Sequence, residues 1–374
     1  MLSVHINLKR KGEGISVDAE MVFEAPFAGE FSFLLAPKMD IKSISTSCGK
    51  NLTFEVLDGK EPFRQTNRIV VDLTQCTSSL QISYEGVPEG YHTTIGDDFF
   101  AINYYSAWYP DHISVGCKGL AVKFHNACYN HVVNAEYDTT GQFWQYVSMD
   151  FDCNILAFKN AKVVGGDMLK LLYTCGNDHA AKLHFDAYNQ AAAFCMELFE
   201  SSQIPKNTVA VLPKGNVRDG YCRKALIVLG GFNPDISAAG HLLAHEIAHI
   251  WCNGADVYSW EDWLNETTAE WAALLFQLHI GDEEKFNSII AQRVQRAQGA
   301  PPIKTADGSR PDAVHDKGVA LFYQIYKKYG QDAVKTMLKL FNRLTPKTTD
   351  AYIKLIAAQL GDGVADMLRN GILI

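Results

Sequence analysis

The spacing of hydrophobic residues changes near residue 165, and this change constrains the fold of the 374-residue chain more than any other feature. Before that point apolar and polar residues alternate in short runs, as from Val4 to Leu8, which is typical of β-strands. After it, apolar residues recur at intervals of about 3.6 residues, as from Asp178 to Ser201, which is typical of helices. The pattern predicts an α+β protein with an antiparallel β-sandwich in residues 1–165 and a mainly helical domain in residues 166–374.

The helical half has its own internal order. One short strand is predicted at residues 209–212, and the pair Gly165–Gly166 is the predicted hinge between the halves. Further helices are predicted at about residues 237–252, 263–280, 317–329, 331–343 and 348–360.

Composition excludes several classes of function. The net charge is −8, which disfavours binding along a phosphate backbone, so no nucleic-acid partner is expected. No apolar run approaches the ~20 residues of a membrane-spanning helix, so no membrane association is expected. The nine cysteines are scattered and form no CxxC pair, which favours reduced, mostly buried thiols and a cytoplasmic location. The oligomeric state is not indicated by any of these features.

The strongest chemical signal is an HExxH segment, His245-Glu246-Ile247-Ala248-His249, within a predicted helix. Residues four apart share a helix face, with Cβ atoms about 5–6 Å apart, so both imidazoles can bind one metal ion. Glu246 is rotated by about 100° from His245, which lets its carboxylate reach a water on the metal without being a ligand. This spacing indicates a zinc hydrolase in which a glutamate is the general base.

Two histidines leave a catalytic zinc site incomplete, because such sites usually have three protein ligands and a water. The chain has Cys252 and Ala255 where a metzincin has glycine and histidine, which excludes that class. Glu266 begins the next predicted helix and is the candidate third ligand. Glu270, one turn later, either accepts a hydrogen bond from a ligand histidine or faces solvent, and both interpretations stay open.

The sequence HEIAHIW followed by WLNE resembles the gluzincin aminopeptidases of the membrane-alanyl-aminopeptidase family. Trp108-Tyr109-Pro110, residues 209–213 and the segment HDKGVALF at 315–322 are similar to further segments of that family. The resemblance implies a β-sandwich followed by a thermolysin-like catalytic domain. It also implies one Zn²⁺ held by His245, His249 and Glu266, with Glu246 as general base.

The chain departs from the family pattern at four places. The spacing from His249 to Glu266 is two residues shorter than in the family, which a shortened loop can accommodate. Residues 219–225 replace the family's GxMEN segment and contain no glutamate to bind the α-amine of a substrate. His315 stands where the family has its catalytic tyrosine, and its imidazolium or N–H is expected to stabilise the oxyanion instead. Finally, the chain leaves no room for the family's large C-terminal helical domain, so a short form with a more open cleft is expected.

The sequence therefore predicts a zinc metallopeptidase that hydrolyses a peptide substrate with Glu246 as base and with zinc and His315 at the oxyanion. Cleavage from the amino terminus and internal cleavage are both open, because the amine-binding glutamate is missing. Two alternatives remain. The chain could be a non-catalytic, zinc-bound scaffold or binding protein, or it could hydrolyse a non-peptide amide, ester or epoxide.

Overall fold

Long strands with alternating buried and exposed residues form the first part of the structure, a computed structural model. It describes residues 1–373 except 60, 62, 112, 127, 150–151, 167, 205–206 and 214. The chain divides into two compact units, Met1–Lys162 and Val163–Ile374. The boundary predicted after residue 165 falls close to this division.

Two sheets make up the first unit. Its strands are β1 (Leu2–Lys11), β2 (Gly14–Leu35), β3 (Met39–Thr46), β4 (Phe54–Gly59), β5 (Thr66–Gly86), β6 (Thr94–Ile95), β7 (Phe99–Ile102), β8 (Cys117–His125), β9 (His131–Val132), β10 (Ala135–Asp138), β11 (Phe143–Ser148) and β12 (Ile155–Phe158). Within the described residues, the larger sheet has the order β10-β11-β8-β1-β2-β5-β3, with β4 also paired to β5. The smaller sheet has the order β6-β7-β12-β9.

The pairing of β1 with β8 is parallel, whereas the other neighbouring strands of these two sheets pair in antiparallel fashion across the described residues. The predicted antiparallel arrangement therefore includes one parallel pair, which forms because β8 returns to β1 after a long connection instead of a hairpin. The buried residues of both sheets share one core, in which the rings of Phe100 and Phe124 stack at 4.8 Å. Trp108 and Tyr109 are fully buried in the same core.

The second unit contains more sheet than its sequence predicts. Strands β13 (Ala161–Gly165), β14 (Leu169–Thr174), β15 (Asn207–Val211), β16 (Gly220–Arg223) and β17 (Leu226–Leu229) form a sheet in the order β13-β14-β15-β17-β16. Strands β14, β15 and β17 are parallel, and β16 is antiparallel at the edge. These strands have only four to six residues, a length at which an apolar run does not reveal whether it is strand or buried helix.

Helices cover the rest of this unit. They are α1 (Asp178–Leu198), α2 (Ile236–Ala248), α3 (Trp263–His279), α4 (Glu283–Ala297), α5 (Val314–Arg343), α6 (Thr349–Leu360) and α7 (Asp362–Gly371), with a short 3₁₀ helix at Trp260–Asp262. The sequence prediction missed α4, which buries only Phe286 and Ile290, and α7, which has only ten residues. The predicted stop at Gly330 is a break within α5, where φ is +82°. The α+β class with sheets first and helices after is confirmed.

All nine cysteines are free thiols, but they are less buried than the sequence predicts. Cys48, Cys76, Cys128 and Cys175 are exposed, so the expectation of mostly buried thiols was wrong.

Among the described residues, no helix combines the length and hydrophobicity needed to cross a membrane.

Candidate metal centre and active site

Helix α2 carries the HExxH segment, and its packing determines which way the two histidines face. Asp235 caps the helix by accepting a hydrogen bond from the Ala238 amide at 3.1 Å. Leu243 and Ile247 are fully buried in the core of the unit, whereas both histidines lie on a partly exposed face of the same helix. The apolar face of α2 therefore anchors the helix and leaves the imidazoles accessible.

A turn held by Asn265 brings helix α3 back against α2. Helix α2 ends at Ala248 with His249 as its C-cap, and Asn265 then bonds both the amide and the carbonyl of Ala255, at 3.0 and 3.1 Å. Glu266, the next residue, lies in the first turn of α3. The asparagine of the WLNE segment thus fixes where the following glutamate stands.

The side chains of His245, His249 and Glu266 converge on one point. Their facing atoms are the two Nε2 nitrogens, 3.2 Å apart, and Glu266 Oε2, which lies 3.5 and 3.8 Å from them. Ligands of a tetrahedral zinc ion at ~2.0–2.1 Å stand ~3.3–3.4 Å from each other, so these separations fit one zinc ion. Among the described residues, this is the one group of three or more His, Cys, Asp or Glu side chains close enough to share a metal.

The outer nitrogens of both histidines are also engaged. Nδ1 of His245 donates to Glu270 Oε2 at 2.9 Å, and Nδ1 of His249 donates to the Cys252 carbonyl at 3.2 Å. A proton on Nδ1 leaves the Nε2 lone pair available for a metal, which is the usual arrangement of ligand histidines. Of the two interpretations of Glu270, the structure favours the hydrogen-bonded one, since the residue is only 4% exposed.

Glu270 is the centre of a larger network that sequence reasoning missed. Its Oε1 accepts hydrogen bonds from His241 at 3.3 Å and from Arg293 at 2.9 and 3.2 Å, and Arg293 also pairs with Asp316 at 2.9 Å. Burial raises the pKa of Glu270, but His241 and Arg293 outweigh burial and hold it well below its usual value. The position of His241, one helical turn before His245, could have predicted that it belongs to this network. No pattern in the sequence indicates the contact between Arg293 and Glu270.

The pKa of Glu246 shifts in the opposite direction. It is 5% exposed, and burial raises the pKa of its carboxyl, although His245 and His249 act in the other direction. A Cβ on Gly220 would lie 3.7 Å from Glu246 Oε1, so the edge strand β16 runs past this carboxylate. A carboxylate whose charge is weakly compensated is suited to take up a proton and return it.

Residues 219–225, the segment without the amine-binding glutamate that the family resemblance implies, include the edge strand β16. Asp219 is the only acid in this stretch, and its Oδ2 accepts a hydrogen bond from Asn216 at 2.6 Å. Strand β16 ends with Arg223.

His315 lies beside the candidate metal centre, in the first turn of α5. Its Nδ1 is 3.3 Å from Glu266 Oε2, and its Nε2 is 2.7 Å from Arg310 Nη2. Desolvation lowers the pKa of His315, Glu266 raises it and Arg310 lowers it again, and the net direction is downward. Of the two forms that the sequence allowed, the surroundings therefore favour the neutral imidazole over the imidazolium.

No protein-family model and no curated protein sequence matches the chain. Among solved structures, it is similar to an M1 zinc metallopeptidase from Deinococcus radiodurans bound to a Tyr-Ser-Ala substrate. The TM-score is 0.65 at 16% identity, over 99% of this chain and 93% of that one. It is also similar to yeast leukotriene A4 hydrolase in complex with bestatin, with a TM-score of 0.69 at 14% identity. That match covers 98% of this chain and 65% of the yeast protein. The chain therefore has the fold of M1 zinc metallopeptidases and leukotriene A4 hydrolase.

Proposed function

We propose that this protein is a zinc metallopeptidase of the gluzincin type. The observation that carries the proposal is the convergence of His245 Nε2, His249 Nε2 and Glu266 Oε2 at separations that suit one zinc ion. The buried Glu246 next to these ligands supports it, and so does the similarity in fold to proteins named as M1 zinc metallopeptidases.

A zinc ion held by these three residues would acidify a water and polarise the carbonyl of the scissile peptide bond. Glu246 removes a proton from the attacking water as the oxygen of this water bonds to the carbonyl carbon. The same carboxyl then gives the proton to the departing nitrogen as the C–N bond breaks, so one water is consumed and Glu246 is regenerated. The raised pKa of Glu246 serves both transfers.

Substrate binding by this proposed peptidase does not require a free α-amine on the peptide. Residues 219–225 contain no glutamate to bind an ammonium group, and Arg223 occupies the end of the edge strand. We therefore expect internal cleavage of peptides, or cleavage of peptides with blocked amino termini, ahead of removal of single residues.

Mass-spectrometric cleavage mapping on a mixed peptide library tests the proposal. Zinc-loaded wild-type protein is compared with Glu246→Gln, which keeps all three ligands, and with the exposed Glu283→Gln on α4 as a matched control. We expect cuts by wild type and Glu283→Gln, and a loss of at least about 100-fold in Glu246→Gln, in the range of general-base catalysis. Equal cutting by Glu246→Gln would remove that residue from its role.

A second candidate is hydrolysis of a non-peptide amide, ester or epoxide by the same residues. The similarity in fold to leukotriene A4 hydrolase and the missing amine anchor favour it. If peptides are not cut but a panel of such compounds is hydrolysed in a Glu246-dependent manner, this candidate replaces the peptidase. If neither is hydrolysed by protein shown to contain zinc, the chain is a zinc-bound scaffold.

A further inference from the structure

Four side chains form a continuous line of contacts that ends at the metal centre. Asp262 Oδ2 accepts from Arg310 Nε at 2.7 Å, Arg310 Nη2 lies 2.7 Å from His315 Nε2, and His315 Nδ1 lies 3.3 Å from Glu266 Oε2. Asp262 is 2% exposed and is fixed by a further bond from Asn265 at 2.9 Å. The line therefore starts at a buried, anchored carboxylate.

Donor and acceptor rules assign the proton on His315. A guanidinium has only donors, so the Nε2 that faces Arg310 at 2.7 Å must be the acceptor. The ring proton is then on Nδ1, the nitrogen that faces the carboxylate of Glu266. Both nitrogens are thus engaged, one toward Arg310 and one toward the candidate ligand.

We propose that Arg310 is a positioning residue that holds His315 as the Nδ1–H tautomer, so that His315 orients Glu266 for the metal. A neutral donor orients the carboxylate without neutralising its charge, which stays available to the metal ion. In this proposal His315 acts on the candidate ligand Glu266 in place of the oxyanion role expected from the sequence. This inference rests on the proposed metal site, and its test does not require peptidase activity.

The Glu270–Arg293 network gives an independent parallel within the same fold. There an arginine holds the carboxylate that orients His245, whereas here an arginine holds the imidazole that orients Glu266. Asp316, the partner of Arg293, follows His315 directly in the chain. The first turn of α5 is thereby connected to ligands on both α2 and α3.

The first test measures zinc affinity by competition with a chromogenic chelator. We expect His315→Leu and Arg310→Met each to weaken zinc binding by about 10–100-fold, the usual cost of losing an outer partner of a ligand. His315→Asn should stay closer to wild type, because an amide NH₂ can replace Nδ1–H. In the His315→Asn background, Arg310→Met should cause no further loss, since an asparagine has no tautomer to fix.

Arg310→Met leaves Asp262 buried without its cation, so folding is checked by circular dichroism and by the double variant Asp262→Asn/Arg310→Met. The double variant should fold and still show the weaker zinc binding.

Arg296→Gln, which changes an exposed arginine one turn beyond Arg293 on α4, is the matched control and should bind zinc as wild type does. The second test is ¹⁵N NMR of the histidine side chains in metal-free protein. The signal that is present in wild type and absent in His315→Asn belongs to His315. In wild type this signal should have the chemical shifts of a neutral ring protonated at Nδ1.

An Nε2-protonated ring in wild type would overturn the proposal. So would zinc affinity that is unchanged in both Arg310→Met and His315→Leu, or an Arg310→Met effect that persists in full in the His315→Asn background. If wild type binds zinc and these patterns hold but no substrate is cleaved, the positioning role stands while the proposed activity fails. If wild type binds no zinc, both are wrong.

Discussion

At the scale of single residues, two buried glutamates near the metal centre acquire opposite properties from their partners. Glu270 accepts from two histidines and an arginine, and these donors hold its pKa well below the usual value despite burial. Glu246 is equally buried but has weaker compensation, so burial wins and its pKa rises. The partners of Glu270 therefore favour its ionised form, whereas burial favours the protonated form of Glu246.

Glu270→Gln should weaken zinc binding by about 10–100-fold, because the glutamine NH₂ group cannot accept the proton of His245 Nδ1 while its oxygen accepts from Arg293. Metal content after dialysis against a chelator series measures the effect. Glu283→Gln on α4, exposed and remote from the ligands, is the control. Zinc affinity equal in both variants would mean that the contact between Glu270 and His245 does not support the metal.

At the scale of elements, the crossing of α3 and α5 depends on Gly318. A Cβ at this position would overlap Thr267 Oγ1 and lie 3.0 Å from Thr267 Cβ, and Thr267 is fully buried directly after Glu266. The close approach of these two helices brings His315, one turn earlier on α5, to the candidate ligand. The close packing of these helices thus explains why glycine occupies position 318 of the HDKG segment.

Gly318→Ala should lower thermal stability and weaken zinc binding together, because the added methyl group forces α5 away from Thr267 and Glu266. Calorimetry and chelator competition measure the two effects. Thr267→Ala removes the overlapping oxygen and should partly restore both in the double variant. Gly166→Ala, where a Cβ meets nothing within 4 Å, should stay close to wild type. A stable Gly318→Ala protein with full zinc affinity would contradict this account of the helix crossing.

At the scale of the whole molecule, the candidate ligands all belong to the unit Val163–Ile374. They lie at the end of α2 and the start of α3, so a metal bound to them would link these two helices. A metal that binds only the folded state adds its binding free energy to stability. The stabilising effect of zinc should therefore originate in this unit and decline with distance from α2 and α3.

Zinc at 100 times its Kd should stabilise the protein by about 2.7 kcal/mol, with slower hydrogen exchange at the amides of α2 and α3. Scanning calorimetry and exchange mass spectrometry, with and without chelator, measure both effects. The double variant His245→Asn/His249→Asn should lose them, whereas His179→Gln, an exposed histidine on α1, should keep them. A zinc-dependent shift of equal size in the ligand variant would place the metal elsewhere.

Local patterns of hydrophobic residues predict part of the fold. Alternation of period two predicts the β-rich unit, and the spacing of apolar residues predicts α1, α2, α3 and α6. Helix α4 is missed because it buries little, and most of the sheet of the second unit because its strands are short. The parallel pairing of β1 with β8 has no local signal, since it joins residues more than a hundred positions apart.

The relative placement of the two histidines and of Glu246, the proposed general base, follows from the sequence alone. Helix geometry acts over four residues, so the HExxH spacing is enough to place His245 and His249 on one face with Glu246 rotated beside them. No knowledge of the neighbouring elements is needed for this part of the site.

The partners that orient these groups depend on how whole helices pack. Arg293 and Glu270 are 23 positions apart on different helices, and their contact forms only when α4 lies against α3. His315 reaches Glu266 in the same way, through the close crossing of α5 and α3. Helix periodicity records which residues of one helix share a face, but it does not record which face of another helix will meet them. The spacing of the two histidines is therefore a property of the sequence, whereas the approach of Glu266 and the network around these side chains are properties of the tertiary structure.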